Sequence, residues 1–167
     1  MEITTKMVKE LREKSGAGIM DCRNALKSAE GNIDKAVEIL KEKGLLKAQK
    51  KAERATGSGL VECYVHTAGR IGAMVEVNCE TDFVARTDEF KELAHSIAMQ
   101  VAAMAPICVS REHVKEGGEA ILDEACLLLQ PYIKDPTRTI QDVITETIAK
   151  TGENIRVSRF SRFELGN

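Results

Sequence analysis

Between Ile71 and Met104 the apolar residues change period once, and that change limits the folds open to the chain. Ala73, Val75, Val77 and Cys79 alternate with Met74, Glu76, Asn78 and Glu80. Such alternation describes a strand with one apolar and one wet face, as in an antiparallel sheet. Phe90, Leu93, Ala94, Ile97, Val101 and Met104 then recur at i, i+3, i+4 spacing, a continuous helical stripe. Met99 and Met104 are expected to be core filler, and Pro106 to stop the helix. Upstream, Leu60 to His66 reads as the hairpin partner of Ile71 to Glu80, joined around Thr67-Ala68-Gly69-Arg70. A wet-faced hairpin that feeds a one-striped helix predicts an α+β layer, with helices on one face of a small antiparallel sheet.

The flanking segments extend this scheme. Residues 1–46 predict a three-helix unit. Its apolar faces are Met7, Val8 and Leu11, then Cys22, Ala25, Leu26 and Ala29, then Ile33, Ala36, Val37 and Leu40. Thr4 or Thr5 caps the first helix, Ser15-Gly16-Ala17-Gly18 turns the chain, Gly31-Asn32 separates the second helix from the third, and Gly44 closes the third. Short helices joined by glycine turns suit a bundle of the ubiquitin-associated type. Residues 47–59 form a basic linker ending in Gly57-Ser58-Gly59, a hinge. A solvated connector is the expected reading of its lysines, with a nucleic-acid patch as the alternative. In residues 60–167, the core, a helix is expected over about 119–129. Another runs over Ile140 to Lys150, capped by Thr139 and ended by Gly152. A late strand spans Ile155 to Leu165. Its alternation changes phase at Phe160 and returns at Phe163 and Leu165, which predicts a bulge near Ser158 to Ser161. Arg156, Arg159 and Arg162 are expected along an exposed edge.

Most local chemistries find no support. Net charge is −2, with 24 basic and 26 acidic residues, and aromatics are 4%. That balance favours neither nucleic acid nor an anionic membrane. The five cysteines are odd in number and lack a C-x-x-C, which suggests reduced thiols used as small hydrophobes. With no long apolar run and no signal-peptide pattern, a cytoplasmic protein is expected. Cys63 and His66, three apart on a strand, point to opposite faces, so no metal site is expected. No phosphate-binding glycine motif occurs, nor a G-x-S-x-G. Cys79 has acidic neighbours in Glu80 and Asp82, which disfavour a nucleophilic thiolate.

What remains is the junction of the two patterns, Asn78 to Arg86. Strand-to-helix junctions place working residues on a rigid scaffold, and this one sets a carboxylate, Asp82, beside a large ring, Phe83. Phe83 is either an exposed binding group or a plug folded back into the core.

Three stretches carry a family resemblance. Leu11-Arg12-Glu13-Lys14-Ser15-Gly16-Ala17-Gly18-Ile19-Met20-Asp21-Cys22 resembles the N-terminal signature of the bacterial elongation factor Ts family. Glu76-Val77-Asn78-Cys79-Glu80-Thr81-Asp82-Phe83-Val84-Ala85-Arg86 is similar to its second signature, and Arg159 to Gly166 to its closing strand. The resemblance implies a guanine nucleotide exchange factor for elongation factor Tu, a translation GTPase, with no catalytic chemistry, cofactor or nucleotide site of its own. It implies a ubiquitin-associated-like domain over 1–46 and an α+β dimerisation core over 60–167. Thr81, Asp82, Phe83 and Val84 would enter the GTPase near its Mg²⁺ site. Phe83 would fill an apolar pocket and Asp82 would make polar contacts beside it. Arg12, Ile19 and Met20 fall where the family's N-terminal domain touches the GTPase, Ile19 standing where Met is common. Long members carry a coiled-coil insertion and a second core subdomain where only residues 107–129 stand here. A homodimer is therefore expected to replace the missing part. The competing readings are a scaffold using only the first 46 residues and a nucleic-acid binder using the basic linker.

Overall fold

The computed structural model describes residues 3–111 and 125–166. Three helices open the chain: α1 (Thr5–Ser15), α2 (Ile19–Ser28) and α3 (Ile33–Lys51). The Thr4 hydroxyl accepts from the Met7 N–H and the Asn32 side chain from the Lys35 N–H, so both caps satisfy otherwise orphaned donors. Gly16 ends α1 at φ +63°, its N–H on the Arg12 carbonyl, a left-handed stop that glycine adopts without strain. Leu11, Cys22, Ala25, Leu26, Ala29 and Ala36 make the buried centre of the bundle.

The expected closure of the third helix at Gly44 does not occur. The helix runs on to Lys51, and Gly44 is buried against α6 (Ile140–Thr151), where an added Cβ would lie 3.9 Å from Ala149 and Thr145. A mid-helix glycine costs up to about 1 kcal/mol, and a Cβ at this distance from α6 would make only ordinary van der Waals contact. Two lysines expected in a solvated connector are also engaged. Lys47 reaches Asp21 at 3.0 Å, alongside Lys43 from within the bundle at 3.1 Å, and Lys51 donates to the Gly152 carbonyl.

The sheet has the order β1-β2-β5, all antiparallel, from β1 (Ser58–Val65), β2 (Ile71–Cys79) and β5 (Ile155–Glu164). Ser58 and Gly59 thus already belong to a strand rather than to a hinge. Gly59 sits at φ +146°, and a Cβ there would come within 2.2 Å of the Val77 carbonyl. The bulge predicted in the last strand is present. Glu76 pairs with Arg159 and Val77 with Val157, leaving Ser158 over. The phase does not return, however. Beyond the bulge Phe160 and Arg162 oppose the inward Val75 and Ala73, while Phe163 and Leu165 face outward, 72% and 69% exposed. One extra residue inverts every later side chain, and no second bulge restores the register. Arg162 accordingly leaves the expected exposed edge: it is partly buried, and its Nε donates to the Ala102 carbonyl at 3.0 Å.

The inward sheet face packs on α5 (Asp88–Met104) and α6, burying Val75, Val77, Phe90, Leu93, Ile97, Val101, Ile144 and Ile148 in one cluster. Met104 is not filler; it is 46% exposed. The helix stops there with Ala105 in the left-handed conformation, and the chain turns to bury Pro106 instead. Of the helix expected over 119–129, residues 119–124 lie outside the described residues. Its remainder is a 3₁₀ turn, Leu127–Leu129. The Leu127 and Leu128 N–H groups are already used by the Cys108 and Val109 carbonyls, and Gln130, preceding Pro131, is biased away from the helical region. A short hairpin follows, β3 (Pro131–Tyr132) and β4 (Asp135–Thr139), in keeping with the extended or turning course that Pro131 and Pro136 impose on residues 130–136. It is anchored by the buried Gln100 amide, which donates to Gln130 Oε1 and the Pro131 carbonyl and accepts from the Ile133 N–H. Thr139 and Asp142 form a capping box on α6, and Gly152 ends that helix at φ +78°.

Candidate partner-binding site

The junction after β2 is a single helical turn, α4 (Asp82–Ala85), set between two threonine caps. The Thr81 hydroxyl accepts from the Val84 N–H at 3.4 Å, and the Thr87 hydroxyl accepts from the Phe90 N–H at the start of α5. The Thr87 hydroxyl also donates to the Val84 carbonyl at 2.8 Å, tying the end of one helix to the cap of the next. Ala85 is buried and Val84 packs against the core, so the turn is rooted on one side. On the other side Phe83 stands 85% exposed. It is not a core plug.

A second set of contacts fixes the root from far along the chain. The Glu153 carboxylate accepts from both the Thr81 N–H, at 3.0 Å, and the Thr81 hydroxyl, at 2.6 Å. Glu80 accepts from the Asn154 N–H at 2.7 Å and pairs loosely with Arg54 at 3.5 Å. The Asn154 side-chain amide donates to the Ala52 and Arg54 carbonyls. Asp82 meets Arg86 at 2.8 Å one turn on, both exposed, an ion pair of little energetic weight. The Cys79 thiol donates to the Thr81 carbonyl at 3.1 Å. Burial, then Glu153, raise its pKa against backbone hydrogen bonds at Thr81 and Ala85, and Asp82 adds the smallest upward push. Burial thus outweighs the acidic neighbours as the reason this thiol is a poor nucleophile.

Thr81, Asp82, Phe83 and Val84 therefore share one turn. Arg12, Ile19 and Met20 lie apart from them, exposed at the end of α1 and the start of α2. The start of α2 is pinned to α3 through Asp21, whose carboxyl is held below its ordinary range by hydrogen bonds from Lys47 and then Lys43. Glu153 and Asn154 were not singled out from the sequence, and Glu80 was noted only as an acidic neighbour of Cys79. Glu153 stands 72 positions from Thr81, and the one local sign was the glycine stop at Gly152, which places the following residues at a turn. Among the described residues no cluster of three or more His, Cys, Asp or Glu could hold a metal ion, and no helix is long and apolar enough to cross a membrane.

Fold and site together define an α+β protein with an N-terminal helical bundle that presents an aromatic ring on a clamped turn. A family model described as Elongation factor TS matches residues 2–119. The curated Elongation factor Ts of Thermotoga maritima is 50% identical over 194 aligned residues, covering 99% of this chain and 98% of that protein. That of Carboxydothermus hydrogenoformans is 50% identical, covering 98% and 89%, and that of Fervidobacterium nodosum 49% identical, covering 99% and 100%. The chain belongs to the elongation factor Ts family and so to the proteins of translation elongation. These alignments exceed the chain's 167 residues, so the relatives hold segments with no counterpart here.

Proposed function

We propose that this protein is a guanine nucleotide exchange factor for elongation factor Tu, working in the cytoplasm, with the Thr81–Val84 turn as the group inserted near the Mg²⁺ site of the GTPase. The observation that carries the reading is Phe83: a large ring, 85% exposed, on a turn fastened by Glu153 and by the core. An aromatic held out in water gains most of its burial energy only on meeting a partner, about 1.5–3 kcal/mol. Because the turn is already ordered, little of that is lost to ordering on binding. Directed wholly into a distorted GTPase, it amounts to roughly one to two decades in nucleotide affinity. Mg²⁺ demands near-ideal octahedral geometry, so a displacement of about an ångström among its ligands weakens the bound GDP. The coupling is reciprocal: GDP expels the factor as strongly as the factor expels GDP. The factor then needs no nucleotide site, cofactor or catalytic group of its own.

Arg12, Ile19 and Met20 supply a second contact on the GTPase, and their exposure suits that role. The outward sheet face supports a homodimer. Val61, Val65, Met74, Phe163 and Leu165 are exposed there, and a second copy would cover this apolar surface. Release of labelled GDP from elongation factor Tu tests the central claim. Wild type accelerates release, and Asp82→Ala combined with Phe83→Ala loses most of the acceleration. Undiminished release by the double variant would defeat the insertion mechanism.

A further inference from the structure

Two thiols that the exchange reading leaves unused meet in the core. Cys108 follows the end of α5, Cys126 precedes the 3₁₀ turn, and the two residues form a parallel β-bridge. The Ile107 N–H donates to the Ala125 carbonyl and the Leu127 N–H to the Cys108 carbonyl, both at 2.9 Å. Bridged strands run about 4.8 Å apart, inside the Cα window of about 4.4–6.8 Å that a disulfide requires. The side chains converge as well. The two Sγ atoms are 3.0 Å apart, inside sulfur van der Waals contact. Among the described residues no third His, Cys, Asp or Glu joins them in a group able to hold a metal. Cys22 and Cys79 are each buried apart from this pair, and Cys63 is exposed on β1.

We propose that Cys108 and Cys126 are a redox-active pair that closes to an intramolecular disulfide, a reducible brace across the segment that links α5 to the β3-β4 hairpin. The oxidant is a small-molecule disulfide. Cys108, slightly exposed where Cys126 is fully buried, attacks as its thiolate and forms a mixed disulfide, releasing one small thiol. The Cys126 sulfur then loses its proton and attacks Cys108 Sγ, releasing the second small thiol. Both protein protons end on the two released thiols, so the protein is oxidised by two electrons and the small disulfide reduced by two. Burial, and then the neighbouring Cys126, push the Cys108 thiol up to about 11. Thiolate is therefore scarce at neutral pH, and closure is slow there, quickening about tenfold per pH unit until the thiol titrates. In a reducing compartment the pair stays open, and oxidation closes it.

The test incubates the full-length native protein with oxidised glutathione, then denatures and alkylates it, and maps the thiols by mass spectrometry after trypsin. Arg111 and Lys115 lie between the two cysteines, so cleavage separates them and a disulfide yields a joined peptide pair. The expected result is one Cys108–Cys126 pair within each chain. Closing a loop of this length raises Tm by about 6–12 °C, and dithiothreitol reverses the rise. A Cys126→Ala variant shows neither the joined pair nor the rise. Both thiols still alkylated after oxidation of the wild type, or each joined to glutathione or to another chain, overturns the proposal. A joined pair with unchanged Tm overturns the brace.

Discussion

Replacing Glu153 by alanine removes the clamp on the turn proposed to insert, without touching the Phe83 ring. Two hydrogen bonds disappear, to the Thr81 N–H at 3.0 Å and the Thr81 hydroxyl at 2.6 Å. A hydrogen bond to a charged group contributes about 1.5–3 kcal/mol, but both bonds here are exposed and water replaces the lost acceptor. About 1–2 kcal/mol for the pair is therefore reasonable. That energy favours the clamped turn over open ones, so its loss lowers the binding-competent fraction by at most about 5–30-fold. The effect falls on apparent affinity, because an open turn that does insert still carries Phe83. Glu153→Ala should thus need a higher concentration to reach the same maximal rate of GDP release from elongation factor Tu. Phe83→Ala should instead lower that maximal rate. Glu153→Gln keeps an acceptor for the Thr81 N–H and should lose only a fewfold. If Glu153→Ala stays within about twofold of wild type at every concentration while Phe83→Ala fails, the turn is held by its own caps and the clamp argument is wrong.

Three further outcomes follow from other parts of the fold. Asp21 has its pKa lowered from 3.8 by Lys47 and Lys43, so its contribution to stability is complete above about that value and drains as pH falls through the lower folded pKa; Asp21→Asn should flatten that part of an acid melt followed by circular dichroism. Gly59→Ala drives a Cβ to 2.2 Å from the Val77 carbonyl at a φ of +146°, and should cost about 3 kcal/mol or more in chemical denaturation. Phe163→Ser should leave the monomer's stability within about 0.5 kcal/mol while weakening self-association in sedimentation, since the ring is 72% exposed on the outer sheet face.

The parts of this architecture that were legible in advance rest on short-range rules. The alternation of Ala73 to Cys79, the stripe from Phe90 to Val101 and the threonine caps Thr4 and Thr139 all act within a few residues. The bulge at Ser158 was also legible, as a break in alternation. Its consequence was not, because whether the phase returns depends on a partner strand about 80 positions away. Gly44 misled for a related reason: a glycine at the end of an apolar pattern reads as a stop, whereas the helix runs on past it to Lys51 along the surface of α6. In the candidate site, Phe83 was visible as a ring at a junction, but its exposure was not, since a loop phenylalanine fits either environment. Glu153 carries no local signature, because its role exists only once α6 ends beside the tip of β2.

That meeting point also changes how the basic segment after the bundle is understood. A flexible linker would leave the faces bearing Met20 and Phe83 to find a partner almost independently, with an effective concentration set by chain length. Here the end of α3 is fastened where the turn is fastened. Lys51 donates to the Gly152 carbonyl, Asn154 holds the Ala52 and Arg54 carbonyls, and Glu153 holds Thr81. Residues 152–154 are therefore shared by both attachments, and Gly44 of α3 packs on α6 behind them. Two faces held on one support gain from joint binding only when the partner offers matching sites at the same separation, and lose that gain when it does not. The shared support thus suits the proposed function, in which one large partner meets both faces at once.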